Sequence, residues 1–412
     1  MRTLVVGVLL VAALAMTRGT QAQQGSAVIL FEGARLIVGD ATAPIADAAF
    51  TVADGRILQV GRRGQLNVPA GATRIDLTGK TVMPAIVDAH THMPVIRAAL
   101  IEALQRKAYY GVSAVMSLGQ DTGDVSFQVR GETIPGAARL RTAGRGITMP
   151  EPGRTEAPYW VTTEAEARKA VADQAARNLD LIKIWVDDRD GMFKKLTPAL
   201  YGAIIDEAHK HNVRVTAHIF TLEDAKGLLR AGIDAFAHGI RDRDIDDEIV
   251  TLFRQRPNVF VVPNLPDRGV KDDLSWLAGS VPADELARLQ AASTDRPAVQ
   301  QTFGIQARNL ARLSRSGVTI AMGTDGNVPY AHHIEMADMV AAGMTPADVI
   351  VAATSTAAQV LRLTDLGTVA PGKSADFLIL DANPLDNITN TRRISAVYLR
   401  GTAVDRAGAR AR

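Results

Sequence analysis

Val82-Met-Pro-Ala-Ile-Val-Asp-Ala-His-Thr-His92 decides how the rest of the chain is read: an apolar run ending in two histidines two residues apart. In an extended chain, side chains two apart point the same way, so His90 and His92 face one point together. Two imidazoles meeting at a strand end suit a borderline divalent metal such as zinc. A lone His-x-His pair is a weak signal; its weight comes from what lies downstream. Val215-Thr-Ala-His218, Ala235-Phe-Ala-His238 and Ala321-Met-Gly-Thr-Asp325 are further short runs that end in a polar residue able to bind metal. Taken singly, His218 or His238 reads as a satisfied core histidine and Asp325 as a helix cap. Taken together, four of the eight histidines fall at the ends of three apolar runs. The other four behave differently: His209 and His211 sit at a predicted helix end, His332 and His333 in a predicted loop.

Strand-like runs occur at residues 82–87, 113–118, 140–148, 179–186, 213–219, 235–238, 259–265 and 318–324. Helical stretches separate most of them, at 163–178, 197–211, 222–231, 298–316 and 345–363. Thr163 with Glu166 three residues on predicts a capping box. This alternation over residues 81–364 predicts an α/β protein, a (β/α)8 TIM barrel whose working residues lie at the carboxyl ends of its strands. No Gly-x-Gly-x-x-Gly follows a strand, which argues against a dinucleotide fold. The chain ends read differently. Residues 27–31, 34–38 and 49–60 alternate as strands, with Asp54-Gly55 as a hairpin turn, and 375–381 and 394–399 repeat the style. They predict one small β-sandwich built from both ends, 23–80 and 365–412, the second part closing on the basic tail 406–412.

The 412 residues include no cysteine, which excludes disulfides, thiolate metal sites and cysteine nucleophiles. Met1-Arg2, an apolar run from Leu4 to Met16 and a polar stretch ending Gln21-Ala-Gln23 read as a removable export signal over residues 1–22, cut after Ala22. That run is too short to span a bilayer, and no later segment is apolar enough, so a periplasmic or secreted protein without a membrane span is expected. The formal charge of +2 becomes balanced once Arg2 and Arg18 of the leader are removed. Balance argues against nucleic acid as a partner. A small-molecule or short-peptide substrate is expected, and assembly into a homo-oligomer is compatible with the reading.

Lys183, in Leu179-Asp-Leu-Ile-Lys-Ile-Trp-Val186, sits among apolar residues where an ammonium is costly. It reads either as a snorkelling or ion-paired lysine, or as a lysine neutralised by burial and nearby cations. The neutral amine can add CO₂ to form a carbamate that mimics a bridging carboxylate. Around the predicted mouth, Trp160 and Trp185 could wall an aromatic pocket or pack in the core. Arg189, Arg145 and Arg154 lie where a substrate carboxylate could be held bidentately. The loop at 326–335 carries Tyr330, His332 and His333, and one of the histidines is a candidate to reach substrate.

His90-x-His92, Lys183, His218, His238 and Asp325, in that order over a barrel, resemble the binuclear metal site of the amidohydrolase superfamily. Asp54-Gly-Arg-Ile-Leu-Gln-Val-Gly61, Gly367-Thr-Val-Ala-Pro-Gly-Lys-Ser-Ala-Asp376 and Asn383-Pro-Leu385 resemble its flanking strands, so the likeness covers essentially the whole chain after the leader. Within the superfamily the chain resembles the imidazolonepropionase-like and prolidase-like groups, which hydrolyse cyclic amides, dipeptides and N-acyl amino acids. The resemblance implies two divalent ions, zinc by expectation. His90, His92 and Asp325 would hold one and His218 and His238 the other, with N6-carboxylated Lys183 and a hydroxide bridging. It further implies attack of that hydroxide on an amide carbonyl, with Asp325 as the catalytic proton shuttle. The chain departs from the pattern at Ala85, which replaces a glycine, at Trp185-Val-Asp-Asp-Arg189, which replaces a small turn, and at Ile219-Phe-Thr221 after His218. A cyclic amide, ester, lactone or phosphotriester would suit the same ligands. A periplasmic solute-binding protein is the non-enzyme alternative.

Overall fold

The computed structural model describes residues 28–407, so the export signal expected at 1–22 and the last five residues of the tail lie outside the described residues. The chain ends do meet. Ile29–Leu36, Ile45–Ala53, Arg56–Arg62, Thr73–Asp76 and Thr81–Pro84 from one end join Phe377–Leu380, Ile394–Leu399 and Thr402–Ala403 from the other in a single eight-stranded sheet. The join is the antiparallel pairing of Thr81–Pro84 with Phe377–Leu380. Aromatic packing consolidates it: Phe31 stacks on Phe50 at 4.9 Å and meets Phe377 edge-on at 5.1 Å, while Phe377 stacks on Tyr398 at 4.8 Å. Asp54 and Gly55 both take positive φ, 49° and 72°. That backbone twists a two-residue hairpin turn with the strands and is cheap for Asp-Gly.

The middle of the chain is a mixed α/β fold of parallel strands laid down in chain order. Ile86–Thr91, Val112–Ser117 and Arg139–Thr142 form one group. Ile147–Thr148, Ile182–Val186, Val215–Ile219, Ala235–Ala237, Phe260–Val262 and Thr319–Ile320 form the second, with Tyr159–Trp160 on its edge. Hydrogen bonds then tie the last strand to the first. Ala89 N donates to Met322 O at 2.9 Å, and Asp325 N to His90 O at 2.8 Å.

Three segments expected as single elements are divided. The run 82–87 is divided: its first half pairs in the terminal sheet and Ile86–Thr91 begins the parallel set. The run 140–148 is broken at Gly144, whose φ is 59°. The helix at 345–363 is interrupted: Pro346–Val351 and Ala357–Val360 flank a π-helical turn, Ala352–Thr356, and the Ala352 carbonyl accepts Met322 N at 3.0 Å. A widened turn frees a carbonyl for a partner outside the helix. Elsewhere local signals hold: Thr163 and Glu166 make the reciprocal capping box at the start of Glu164–Ala175. No helix among the described residues is long and apolar enough to cross a membrane.

Candidate metal centre

Strand register brings distant side chains to one level. His218 lies opposite Trp185 on one side and Ala237 on the other, so His238 follows immediately beyond. The ring centroids form a chain: His92 to His90 is 5.2 Å, His90 to His238 is 5.3 Å, and His238 to His218 is 4.4 Å. Asp325 is the hub. Its Oδ1 lies 3.1 Å from His90 Nε2 and 3.0 Å from His92 Nε2, and its Oδ2 lies 3.5 Å from His238 Nε2. His90, His238 and Asp325 each offer an atom within 4.8 Å of the others.

Close approach of the last strand to the first requires glycine at 323, because a Cβ there would stand 2.7 Å from His90 N. Backbone strain collects at the same place: His238, Asp325, Asn264 and Arg189 have φ of 94°, 57°, 43° and 57°. Left-handed backbone at non-glycine residues costs free energy and persists where surrounding structure enforces it, often at functional sites.

The electrostatics match ligand chemistry. Burial, reinforced by the Lys183 charge, lowers His90 to about 4. Burial also lowers His218 to about 3, against the Asp187 hydrogen bond, and holds His238 well below the ordinary range. The three imidazoles are therefore neutral near pH 7, the form that donates a lone pair to a metal. For Asp325, burial works upward, but the imidazoles of His90, His92 and His238 outweigh it and keep the carboxylate ionised. Lys183 Nζ is fully buried, makes no hydrogen bond, and is lowered by burial to about 7, with Asp325 opposing and Arg241 and Arg189 assisting. Imidazole nitrogen, carboxylate oxygen and an orphaned buried amine form a donor set that fits borderline divalent cations.

Other expected site residues lie elsewhere or have partners. His332 and His333 are not in a loop; both belong to helix Ala331–Ala341, and both are buried. Their Nε2 atoms lie 2.9 and 3.1 Å from the Tyr110 carbonyl, and His333 Nδ1 lies 3.1 Å from Thr391 Oγ1. Tyr330 packs with Tyr110 and Trp276. Trp185 is buried beneath Lys183, whose Nζ lies 5.3 Å from its ring centre, and Trp160 is half-buried on the sheet edge. Arg145 donates to the carbonyls of Glu156, Ala157 and Pro158, and Arg154 pairs with Glu151. Arg189 pairs with Asp187 at 2.6 Å and Glu151 at 3.4 Å.

The sequence reading missed the supports. Asn264 Oδ1 holds His90 Nδ1 at 2.7 Å. Asp88 accepts from Lys107 Nζ at 2.9 Å, a fully buried pair, and from the half-buried Thr324 Oγ1 at 2.8 Å, which ties the first strand to the segment after the last. Asp88 carried a signal, a carboxylate inside an apolar run; Lys107 and Asn264 carried none. Asp187 Oδ2 lies 2.9 Å from His218 Nε2. Arg241, on the turn after His238, keeps its Nε buried without a hydrogen-bond partner.

Fold and site together describe an α/β enzyme with a carboxylate–imidazole cluster at the ends of parallel strands. Residues 81–404 match the sequence profile of the Amidohydrolase family. The chain belongs to that family and is a hydrolase. Among relatives, it is 27% identical over 360 residues to the imidazolonepropionase of Streptomyces coelicolor, covering 82% of this chain and 86% of that one. It is 29% identical over 355 residues to an uncharacterized protein of Mycobacterium tuberculosis, covering 81% and 87%. Among solved structures, a candidate prolidase from Bifidobacterium longum superposes with a TM-score of 0.77 at 28% identity, covering 92% of this chain and 95% of that one. A Xaa-Pro dipeptidase with methionine in its active site gives 0.72 at 21% identity, covering 92% and 99%, a likeness of fold.

Proposed function

We propose that this protein is an exported, metal-dependent hydrolase that cleaves an amide bond whose leaving group is an amino acid, as in a dipeptide or N-acyl amino acid. The strands in chain order, bonded last to first, support a closed (β/α)8 barrel, and the terminal sheet a β-sandwich beside it. The observation that carries the function is the convergence of His90, His92 and His238 Nε2 on Asp325.

His90, His92 and Asp325 would hold one divalent ion and His218 and His238 a second, zinc by the donor set. Such ions, when bound, polarise a carbonyl and bring the pKa of water towards about 7. The rest falls to this chain. Lys183, lowered to about 7, has a large neutral fraction at neutral pH, and its Nζ can add to CO₂ and lose a proton to become a carbamate. The ionised Asp325 carboxylate takes the proton of the attacking water and passes it to the leaving nitrogen. Arg145 and Arg154 are already partnered, whereas Arg241, through its Nε, and Arg189, through its Nη2, each keep a buried guanidinium nitrogen without a hydrogen-bond partner, and these two would receive a substrate carboxylate. The 28% identical candidate prolidase supports a peptide-like substrate, and an export signal, as residues 1–22 read, would place the encounter outside the cytoplasm.

The test compares substrates bearing a free C-terminal carboxylate with the same compounds amidated, alongside metal analysis of the purified protein. Amidation is expected to lower kcat/KM by at least about 100-fold, because the buried guanidinium nitrogens are left unpaired. Equal turnover of both forms, or faster turnover of aryl esters or phosphotriesters, would replace the amino-acid amide reading.

A further inference from the structure

Each of the four clustered imidazoles turns its Nε2 towards a carboxylate oxygen. Three of them face Asp325, at 3.0 to 3.5 Å. The fourth, His218, faces Asp187 Oδ2 at 2.9 Å. Asp187 therefore stands to His218 as Asp325 stands to the others. Where an imidazole of this cluster is held from behind, the holding atom is on Nδ1: Asn264 supports His90 that way, at 2.7 Å. Asp187 is on the other nitrogen, the inward one.

The geometry points to Asp187 as a ligand of the second metal, so that each half of the centre has its own carboxylate. This rests on the metal-hydrolase reading above. Three observations carry it. Lys183 and Trp185 lie on one face of the strand Ile182–Val186, and Asp187, the first residue beyond it, continues the same two-residue spacing. The Asp187–His218 separation, 2.9 Å, matches the 3.0 and 3.1 Å at which Asp325 meets His92 and His90, so the two carboxylates stand at the same distance from their imidazoles. Finally, Arg189 Nη1 lies 2.6 Å from Asp187 Oδ2 and 3.1 Å from His218 Nε2, so a positive charge already rests against this pair of atoms. Carboxylate and imidazole are arranged to receive a cation. The segment Trp185-Val-Asp-Asp-Arg189, where the chain departs from the pattern it otherwise resembles, thus contributes both an added ligand and a guanidinium that competes for the same atoms.

The experiment strips the full-length mature protein with a chelator and titrates it with Co²⁺, reading stoichiometry and affinity from visible absorption and calorimetry, with no activity assay. Wild type is expected to take up two ions, the second more weakly. Asp187→Asn should weaken the second by at least about 10- to 100-fold and leave the first within threefold. Asp187→Glu should recover part of the loss. Two ions bound with unchanged affinities in Asp187→Asn, or equal weakening of both, would overturn the assignment. A single ion in wild type would overturn it too while leaving the hydrolase reading in place, and no ion would overturn both. Should Asp187→Asn fail to fold, Arg189→Met is read instead: removal of the competing guanidinium should tighten the second ion about tenfold, and unchanged affinity would overturn the proposal.

Discussion

Two groups of buried histidines sit in this molecule, and burial does not distinguish them. His90, His218 and His238 on one side, and His332 and His333 on the other, are all below one-tenth exposed and all pushed towards the neutral form. Their partners differ. The first group, with His92, meets ionised carboxylates and a lysine amine that makes no hydrogen bond. The second meets the Tyr110 carbonyl and the Thr391 hydroxyl, on a helix packed against aromatic rings. A shifted imidazole marks a site only when charges of opposite sign converge on its free nitrogen. Where a carbonyl takes the ring N–H, the same shift marks packing.

The sharpest way to break this contrast is Asp325→Asn. The amide keeps the shape and an oxygen but cannot carry the proton, so kcat should fall by about 10²–10⁴ in steady-state assays. A near-normal kcat with raised KM would make Asp325 a positioning residue. Lys183→Ala should lower metal content and kcat/KM together, by about 10- to 100-fold, with partial recovery on adding short carboxylic acids. Unchanged metal content would leave Lys183 as a buried amine without a role in the centre. Lys107→Met removes the partner of a fully buried carboxylate while touching no proposed ligand. It should destabilise the fold by about 3–5 kcal/mol in denaturant unfolding, because Asp88 is left charged and unpaired.

The smallest effects belong to the helix histidines. His333→Leu should cost about 1–2 kcal/mol of stability and leave kcat/KM within about threefold, since only hydrogen bonds to Tyr110 and Thr391 are lost. A large fall in kcat/KM would restore His333 to the site. Burial, with Arg392 adding, lowers His333 to about 3 from an ordinary value of 6.5. Its neutral-state stabilisation is therefore complete above pH 6.5 and lost as the pH falls through about 3. His333→Gln cannot charge, so its melting temperature should decline less steeply than wild type between those values. Parallel curves would mean that the wild-type ring is already protonated in the fold.

The sequence by itself determined what is local. Period-two alternation and Asp54-Gly55 specified the hairpin, Thr163 and Glu166 the capping box, and the placement of His90, His92, His218, His238 and Asp325 at run ends specified the ligand types. Only the tertiary structure decided which of these groups meet and through which atoms. His90 and Asn264 are 174 positions apart, and His92 and Asp325 are 233 apart. No periodicity encodes such pairs, because they follow from strand register and from the last strand bonding to the first. The same holds for the arginines. Their type was visible in the sequence, but whether a guanidinium is free depends on which carbonyls and carboxylates the fold brings within about 3 Å, where a buried charge must find its partner. That is why Arg145, Arg154 and Arg189 proved to be partnered, and why His332 and His333 proved to be packing.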